Sequence, residues 1–345
     1  MIEQLFAENY GCLTKIETPK LGMLHAFIGP NDSGKSTLLR AVRLLTYCAS
    51  NIVDPDVVEN VFGVSASPRR CWIAAHTPGG DYQIDLVGGQ LHEAAAAIVG
   101  DGMRHQMMPR LWGTGPQASR GIKDNLQSAR LLRLDPDALR KRSSLIPDGG
   151  AVTFIDDRGH GLPGVYDHIV NRGDEAFATI RKRVIELFPA VKSVRLRAVT
   201  KSEKELEIEL RDGTRVPAAH MSEGLLYFLA FSALPYLAPT SIVLMEEPEN
   251  GLHPARIAEV VRTIREFSQT GTQVLLATHR PLVVNELAGD EVTVVTRDDS
   301  GTKLKLMKDT PNFEERSKVY ALGELWVSYA NGTDEAPLMS ATAKQ

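Results

Sequence analysis

Nine consecutive residues, Gly29-Pro30-Asn31-Asp32-Ser33-Gly34-Lys35-Ser36-Thr37, constrain this chain more than any other stretch. They follow an apolar run, Leu24 to Ile28, that reads as a short buried strand. They lead into Ser36 to Leu45, where Leu38, Leu39, Val42 and Leu45 recur at helical spacing. A strand, a turn holding two glycines, and a helix that opens on Gly-Lys-Ser-Thr have a specific chemical use. Gly29 and Gly34 permit backbone angles that turn successive amide N–H groups into one concavity. The helix N-terminus adds its positive dipole end, so the loop from Gly29 through Asn31, Asp32 and Ser33 to Thr37 suits phosphate oxygens. Lys35 has the reach for β- and γ-phosphates, and the Ser36 hydroxyl suits Mg²⁺.

More than two hundred residues later, Ser241 to Met245 forms a β-prone apolar run that ends in Glu246-Glu247-Pro248-Glu249-Asn250-Gly251-Leu252-His253-Pro254. A carboxylate at the C-terminal end of a buried parallel strand can meet Mg²⁺ above a phosphate loop. A second one beside it can polarise an attacking water. Glu246 suits the metal and Glu247 the water. Taken alone, paired acids after a strand make an ordinary solvated loop; the phosphate loop changes that balance. Ser222-Glu223-Gly224 precedes an apolar helix beginning near Leu225. It reads either as a simple helix cap or as N–H groups and a hydroxyl able to clamp a γ-phosphate. Gln273 to Thr278 is another buried strand, ending in His279. One helix, about 254–269, separates it from the acidic strand, so adjacent strands would bring His279 to the same edge.

These four motifs, in this order, resemble the ABC-type ATPase heads of the RecF, SMC and OLD-nuclease group. The wording from Glu246 to Pro254 is especially similar to stand-alone AAA/ABC-like ATPases of phage-defence and toxin–antitoxin operons. The resemblance also takes in Asn9-Tyr10, the stretch Leu134 to Arg140, and Gly161 to Tyr166. It implies an α/β fold: an ABC-type P-loop head with a mixed sheet and flanking helices, an antiparallel β lobe and a helical insertion. It implies one head over 1–345, with a helical, basic lobe at 90–150. It also implies ATP and Mg²⁺ as cofactors, catalytic roles for Lys35, Glu247 and the switch histidine His279, and metal roles for Ser36 and Glu246. Ser222 and Gly224 would complete the ATP site of a second copy, giving a head-to-head homodimer or a higher oligomer. Glu246 departs from the more usual aspartate by one methylene, and the signature reads Ser-Glu-Gly-Leu-Leu. Gln83 is the preferred Mg²⁺-sensing glutamine, with Gln90 and Gln117 as alternatives.

Composition bounds the remainder. Among 345 residues, 43% are hydrophobic and 24% charged, which fits a globular chain. The cysteines Cys12, Cys48 and Cys71 form no CxxC pair, and Met1 to Leu5 carries no signal-peptide pattern. Leu225 to Met245 lacks formal charge, but Pro235 and Pro239 divide it into helix, turn and strand rather than a membrane span. A cytoplasmic location is expected. Residues 104–142 hold nine Lys or Arg against three acids, a net of +6 inside a chain of net −4. That segment reads as a solvated helical face, or as a surface for the phosphates of DNA or RNA.

No sustained heptad and no nuclease module appears, so coiled-coil arms are not expected and an effector, a nuclease or toxin, would be a separate chain. The expected role is an ATP-driven motor or sensor in a nucleic-acid-directed, anti-phage system. The alternatives are a RecF-like repair clamp, an ATP-gated scaffold that sequesters a toxin or effector, and, disfavoured by the signature wording, a transporter ATPase.

Overall fold

A computed structural model describes residues 1–50, 71–87, 90–96, 126, 129–147 and 149–329. The strands are β1 (Gln4–Tyr10), β2 (Leu13–Glu17), β3 (Leu24–Ile28), β4 (Cys71–Thr77), β5 (Gly80–Val87), β6 (Gln90–Ala96), β7 (Ala129–Leu132) and β8 (Ser143–Ser144). They continue with β9 (Val191–Ala198), β10 (Glu203–Leu210), β11 (Arg215–Pro217), β12 (Ile242–Glu246), β13 (Gln273–Thr278), β14 (Val292–Asp298) and β15 (Gly301–Leu306). The helices are α1 (Lys35–Ser50), α2 (Pro136–Leu139), α3 (Leu162–Asn171), α4 (Ala176–Leu187) and α5 (Glu223–Ala233). After these come α6 (Pro254–Ser268), α7 (Pro281–Val284), α8 (Phe313–Arg316) and α9 (Leu322–Tyr329). Contacts divide the described residues into two compact units, one drawn from 1–131, 240–247 and 271–329, the other from 132–239 and 248–270.

The first unit holds a six-stranded sheet in the order β15-β14-β3-β13-β12-β7 and a five-stranded antiparallel sheet, β2-β1-β4-β5-β6. β12, β13, β3 and β14 are parallel neighbours. Every residue of β3 and β13 is buried, which accounts for their unbroken apolar runs: parallel strands covered on both faces cannot alternate. Helix α1 fits between the two sheets. Its Leu38, Leu39, Val42 and Leu45 share one core with Leu5, Ile73, Tyr82 and Ile84 from the antiparallel sheet and with Phe27, Leu244, Leu275 and Val295 from the mixed one. Gln273 ties the edge of this core to the N-terminus. Its Oε1 accepts from the Ile2 N–H at 2.8 Å, and its Nε2 donates to the Ile2 carbonyl at 2.7 Å.

The second unit is an antiparallel sheet, β11-β10-β8 with β9 also paired to β10, accompanied by α2 to α6. Gly161 to Tyr166 is a packing motif here. Gly161 takes a left-handed φ of 98° at the start of α3, and a Cβ on Gly164 would meet the Ser144 carbonyl at 2.6 Å. The Tyr166 hydroxyl donates to the Leu229 carbonyl at 2.9 Å, which ties α3 to α5.

The helix after the glycine loop is longer than its sequence pattern, and 225–245 does resolve into helix, turn and strand. Among the described residues no helix is long and apolar enough to cross a membrane. The helical expectation for 90–150 needs correction where that stretch is described. Gln90–Ala96 is a strand paired to β5 and Ala129–Leu132 a strand of the mixed sheet, while α2 is a single turn. Strand pairing overrides the helix propensity of the alanines at 94–96. Arg104, Arg110, Arg120 and Lys123 lie outside the described residues. Burial lowers the pKa of Arg130, whereas Arg142 is exposed and sits 3.5 Å from Glu205.

His25 on β3 is fully buried, with Nε2 2.8 Å from the Thr293 hydroxyl and Nδ1 without a hydrogen-bond partner among the described residues. Burial pushes its pKa down to about 4, against the pull of Glu291 and Asp290. The folded state therefore holds it neutral where the unfolded chain, at about 6.5, takes up a proton. Stability contributed by neutral His25 is whole above pH 6.5 and falls as pH drops toward 4, by about 3 kcal/mol in all. Urea titrations at pH 4.5 and 7 should differ less in His25→Leu than in the parent chain.

Candidate functional site

The parallel register sets the site. Glu246 pairs with Ala277, Ala277 with Phe27, and Thr278 with Ile28, so β12, β13 and β3 end side by side. The residues that follow those strands are Glu247, His279 and Gly29. Three motifs separated by up to 250 positions thus emerge at one sheet edge, where open α/β folds place their ligands.

The glycine loop is held tightly. A Cβ at Gly29 would lie 2.0 Å from the Val295 carbonyl oxygen, and one at Gly34, where φ is +108°, would lie 2.7 Å from Thr302 Oγ1. Glycine is required at both positions by close approach, and at Gly34 by backbone angle as well. Thr302 on β15 donates to the Ser33 carbonyl at 3.0 Å, and Cys12 Sγ sits 3.3 Å from Thr37 Oγ1. Asp32 has a left-handed φ of 63°. Asn31 and Asp32 are exposed, whereas Ser36 and Thr37 are half-buried. Lys35 is only 8% exposed; its ammonium folds back to donate to the Gly29 carbonyl at 2.8 Å and the Pro30 carbonyl at 2.6 Å. The Ser33 hydroxyl is buried in the loop and has no hydrogen-bond partner among the described residues.

Glu247 has a φ of 47°, a region that side chains with a Cβ enter at a cost of about 1–2 kcal/mol. Two contacts hold it there. Its N–H donates to the Ala277 carbonyl at 2.8 Å, and its Oε1 is 2.9 Å from His279 Nδ1. An ionised carboxylate only accepts, so the imidazole Nδ1–H is the donor. The strained backbone turns Glu247 off the line of β12 and against His279. Glu246 remains on the strand end, half-buried. Ser36 and Glu246 supply a hydroxyl and a carboxylate, hard oxygens that fit Mg²⁺ bound mainly by phosphate and water.

Gln83 does not join these residues. It lies on β5 of the antiparallel sheet, opposite Ala74, and its Oε1 accepts from Trp72 Nε1 at 3.3 Å. Gln117 and the Gln90 side chain lie outside the described residues.

In the second unit, Ser222 caps α5 with no side-chain hydrogen bond to the helix, and Gly224 has open space around the position of a Cβ. Both border a cleft of about 450 Å³, with Glu223, Gly251, His253, Ala255, Arg256 and Phe188 as the rest of its wall. Gly251 has a φ of 70°, and His253 Nδ1 accepts from the Ala255 N–H at the start of α6. The Leu134-to-Arg140 motif braces this region: Arg140 Nη2 donates to the Met221 carbonyl at 3.4 Å, and the Tyr227 hydroxyl to the Leu134 carbonyl at 3.2 Å. Arg140, which falls in the segment read from sequence as either a solvated face or a phosphate-contacting surface, is engaged within the protein. The strain at Glu247 and the role of Thr302 left no trace in the sequence.

A family model described as an AAA domain, putative AbiEii toxin, type IV TA system, matches residues 117–285. The chain is 47% identical over 45 residues to an OLD nuclease of Thermus scotoductus, covering 13% of this chain and 8% of that protein. It is 40% identical over 76 residues to the energy-coupling factor transporter ATP-binding protein EcfA1 of Methanospirillum hungatei, 22% of this chain and 27% of that one. The matches thus span less than a third of either curated relative. Among solved structures, an Smc head bound to the C-winged helix domain of ScpA aligns with a TM-score of 0.61 at 16% identity, over 88% of this chain and 97% of that one. An Smc head with an extended coiled coil, bound to the C-terminal domain of ScpA and derived from Pyrococcus furiosus, aligns with a TM-score of 0.55 at 14% identity, over 94% and 99%. The structural likenesses are ones of fold.

The loop geometry makes its own prediction. Thr302→Val keeps the shape but removes the donor to the buried Ser33 carbonyl. It should cost about 1–2 kcal/mol in chemical denaturation, whereas Thr302→Ser should recover most of that loss.

Proposed function

We propose that this chain is an ABC-type ATPase head of the RecF, SMC and OLD group, a reading the family model and the short match to an OLD nuclease support, and that it binds ATP with Mg²⁺ on the Gly29–Thr37 loop, hydrolyses it, and closes head to head on a second copy. The observation that carries this reading is the shared edge, where the glycine loop, the Glu246-Glu247 pair and His279 end three adjacent parallel strands. The loop amides and Lys35 hold the phosphates, with the ammonium exchanging its two carbonyl partners for phosphate oxygens. Ser36 and Glu246 hold the Mg²⁺, which when bound neutralises phosphate charge. Glu247 accepts a proton from the attacking water, and His279 keeps its carboxylate aimed at that water. Ser222 and Gly224 act in trans. The unused cap oxygen of Ser222 and the open space over Gly224 leave room there for a second copy's γ-phosphate.

The biological setting we favour is a nucleic-acid-directed defence system in which this chain is motor or sensor to a separate effector. The AbiEii-type family model and the short match to an OLD nuclease support it. Direct contact with DNA or RNA through 104–142 belongs to the same proposal.

Glu247→Gln should bind ATP as the parent does, lose turnover about a hundredfold or more, and accumulate an ATP-dependent dimer in analytical ultracentrifugation. Turnover equal to the parent's removes Glu247 from the chemistry. Lys35→Ala should abolish nucleotide binding. A motor loses its cellular effect in Glu247→Gln, whereas an ATP-gated scaffold keeps it. If the basic segment binds duplex DNA, affinity should fall steeply between 50 and 200 mM salt, by about tenfold or more; binding insensitive to salt rules out phosphate contacts there.

A further inference from the structure

Arg256 is the only Lys or Arg on the wall of the Ser222–Gly224 cleft among the described residues. It stands in the first turn of α6, and its guanidinium lies over the Phe188 ring, 5.2 Å from the centroid. Three of the other charges on this helix have opposite partners: Arg262 pairs with Glu259, and Glu266 with Arg183. No carboxylate pairs with Arg256 among the described residues. The cleft also contains an acid. Glu223 Oε2 lies over Gly251, so close that a Cβ there would meet it at 2.8 Å. The His253 ring accepts from the Ala255 N–H through Nδ1 at 3.2 Å. Without Arg256 the wall would carry a net negative charge and repel a polyphosphate.

The hold on Arg256 is weak. A guanidinium over an aromatic face at a partly exposed site is held weakly, whereas charge-assisted, bidentate hydrogen bonds to phosphate are much stronger. A phosphate entering the cleft would therefore draw the guanidinium from the ring. Phe188 keeps it parked without a carboxylate that the phosphate would have to displace.

We propose that Arg256 binds the terminal phosphate of the ATP held by a second copy of this chain, supplying in trans the positive charge that the Ser-Glu-Gly signature lacks. This rests on the reading that Ser222 and Gly224 complete the partner's site. The test uses the full chain carrying Glu247→Gln, with ATP and Mg²⁺, and follows dimer formation by ultracentrifugation and nucleotide affinity by equilibrium dialysis of the dilute monomer. Arg256→Ala should weaken the ATP-dependent dimer about tenfold or more and leave monomer nucleotide affinity and the thermal unfolding midpoint unchanged. Arg256→Lys should fall between, keeping the charge but losing the fork. Phe188→Leu should leave the dimer as strong or stronger, because the competing ring is gone.

Ser222→Arg separates the two ideas. If it abolishes the dimer while Arg256→Ala leaves it intact, the Arg256 assignment is wrong and the signature reading stands. If Ser222→Arg also dimerises normally, the signature reading itself fails. Loss of monomer nucleotide binding or of thermal stability in both Arg256 variants would place Arg256 in the fold rather than at the phosphate.

Discussion

Lateral hydrogen bonding among β12, β13 and β3 is the constraint on which the first unit depends. Those strands are central in the mixed sheet and buried along nearly their whole length, so their register cannot slip without moving apolar side chains out of the core. The register fixes where the strands stop. Where they stop, the burial requirement ends and polar residues gather: a glycine loop, two carboxylates and a histidine. Helix α1 locks the arrangement from above, because the residues that bury it between two sheets also fix the direction in which its N-terminus meets the loop.

Two devices refine that edge. The glycine loop is pinned from outside by the Val295 carbonyl and Thr302, so its shape belongs to the edge hairpin of β14 and β15 as much as to its own glycines. At Glu247 the chain accepts a left-handed residue and offsets the cost with a backbone bond to β13 and the His279 contact. Strain of this kind persists only where the surrounding structure over-determines the conformation. In the second unit the logic is reversed. Ser222 and Gly224 make little use of their special properties within the chain, and Arg256 rests on a ring rather than on a carboxylate.

Much of this was legible in the sequence because the signals were local. Gly29 to Thr37 declares its loop through residue types at fixed spacing. The apolar runs before Glu246 and His279 declare buried parallel strands, and Pro235 and Pro239 break an otherwise uniform stretch into its true parts. The stretch at 90–96 misled because its alanines favour helix, whereas backbone pairing to β5 decides the matter. Arg140 misled in another way: a count of charges cannot distinguish a solvated arginine from one that braces the Met221 carbonyl. Gln83 was placed on a strand correctly, but nothing local reveals that Trp72 takes its amide oxygen.

The sequence by itself determined the phosphate loop, the order of the motifs and the α/β class, since each follows from spacing and hydrophobic period within a few turns of chain. Only the tertiary structure decided that Glu247 leaves its strand left-handed to meet His279, that Thr302 pins Ser33, and that Arg256 shares a cleft with Ser222. Those facts depend on contacts between residues 32, 269 and 34 positions apart, and separation of that kind is set by packing, which no local pattern encodes.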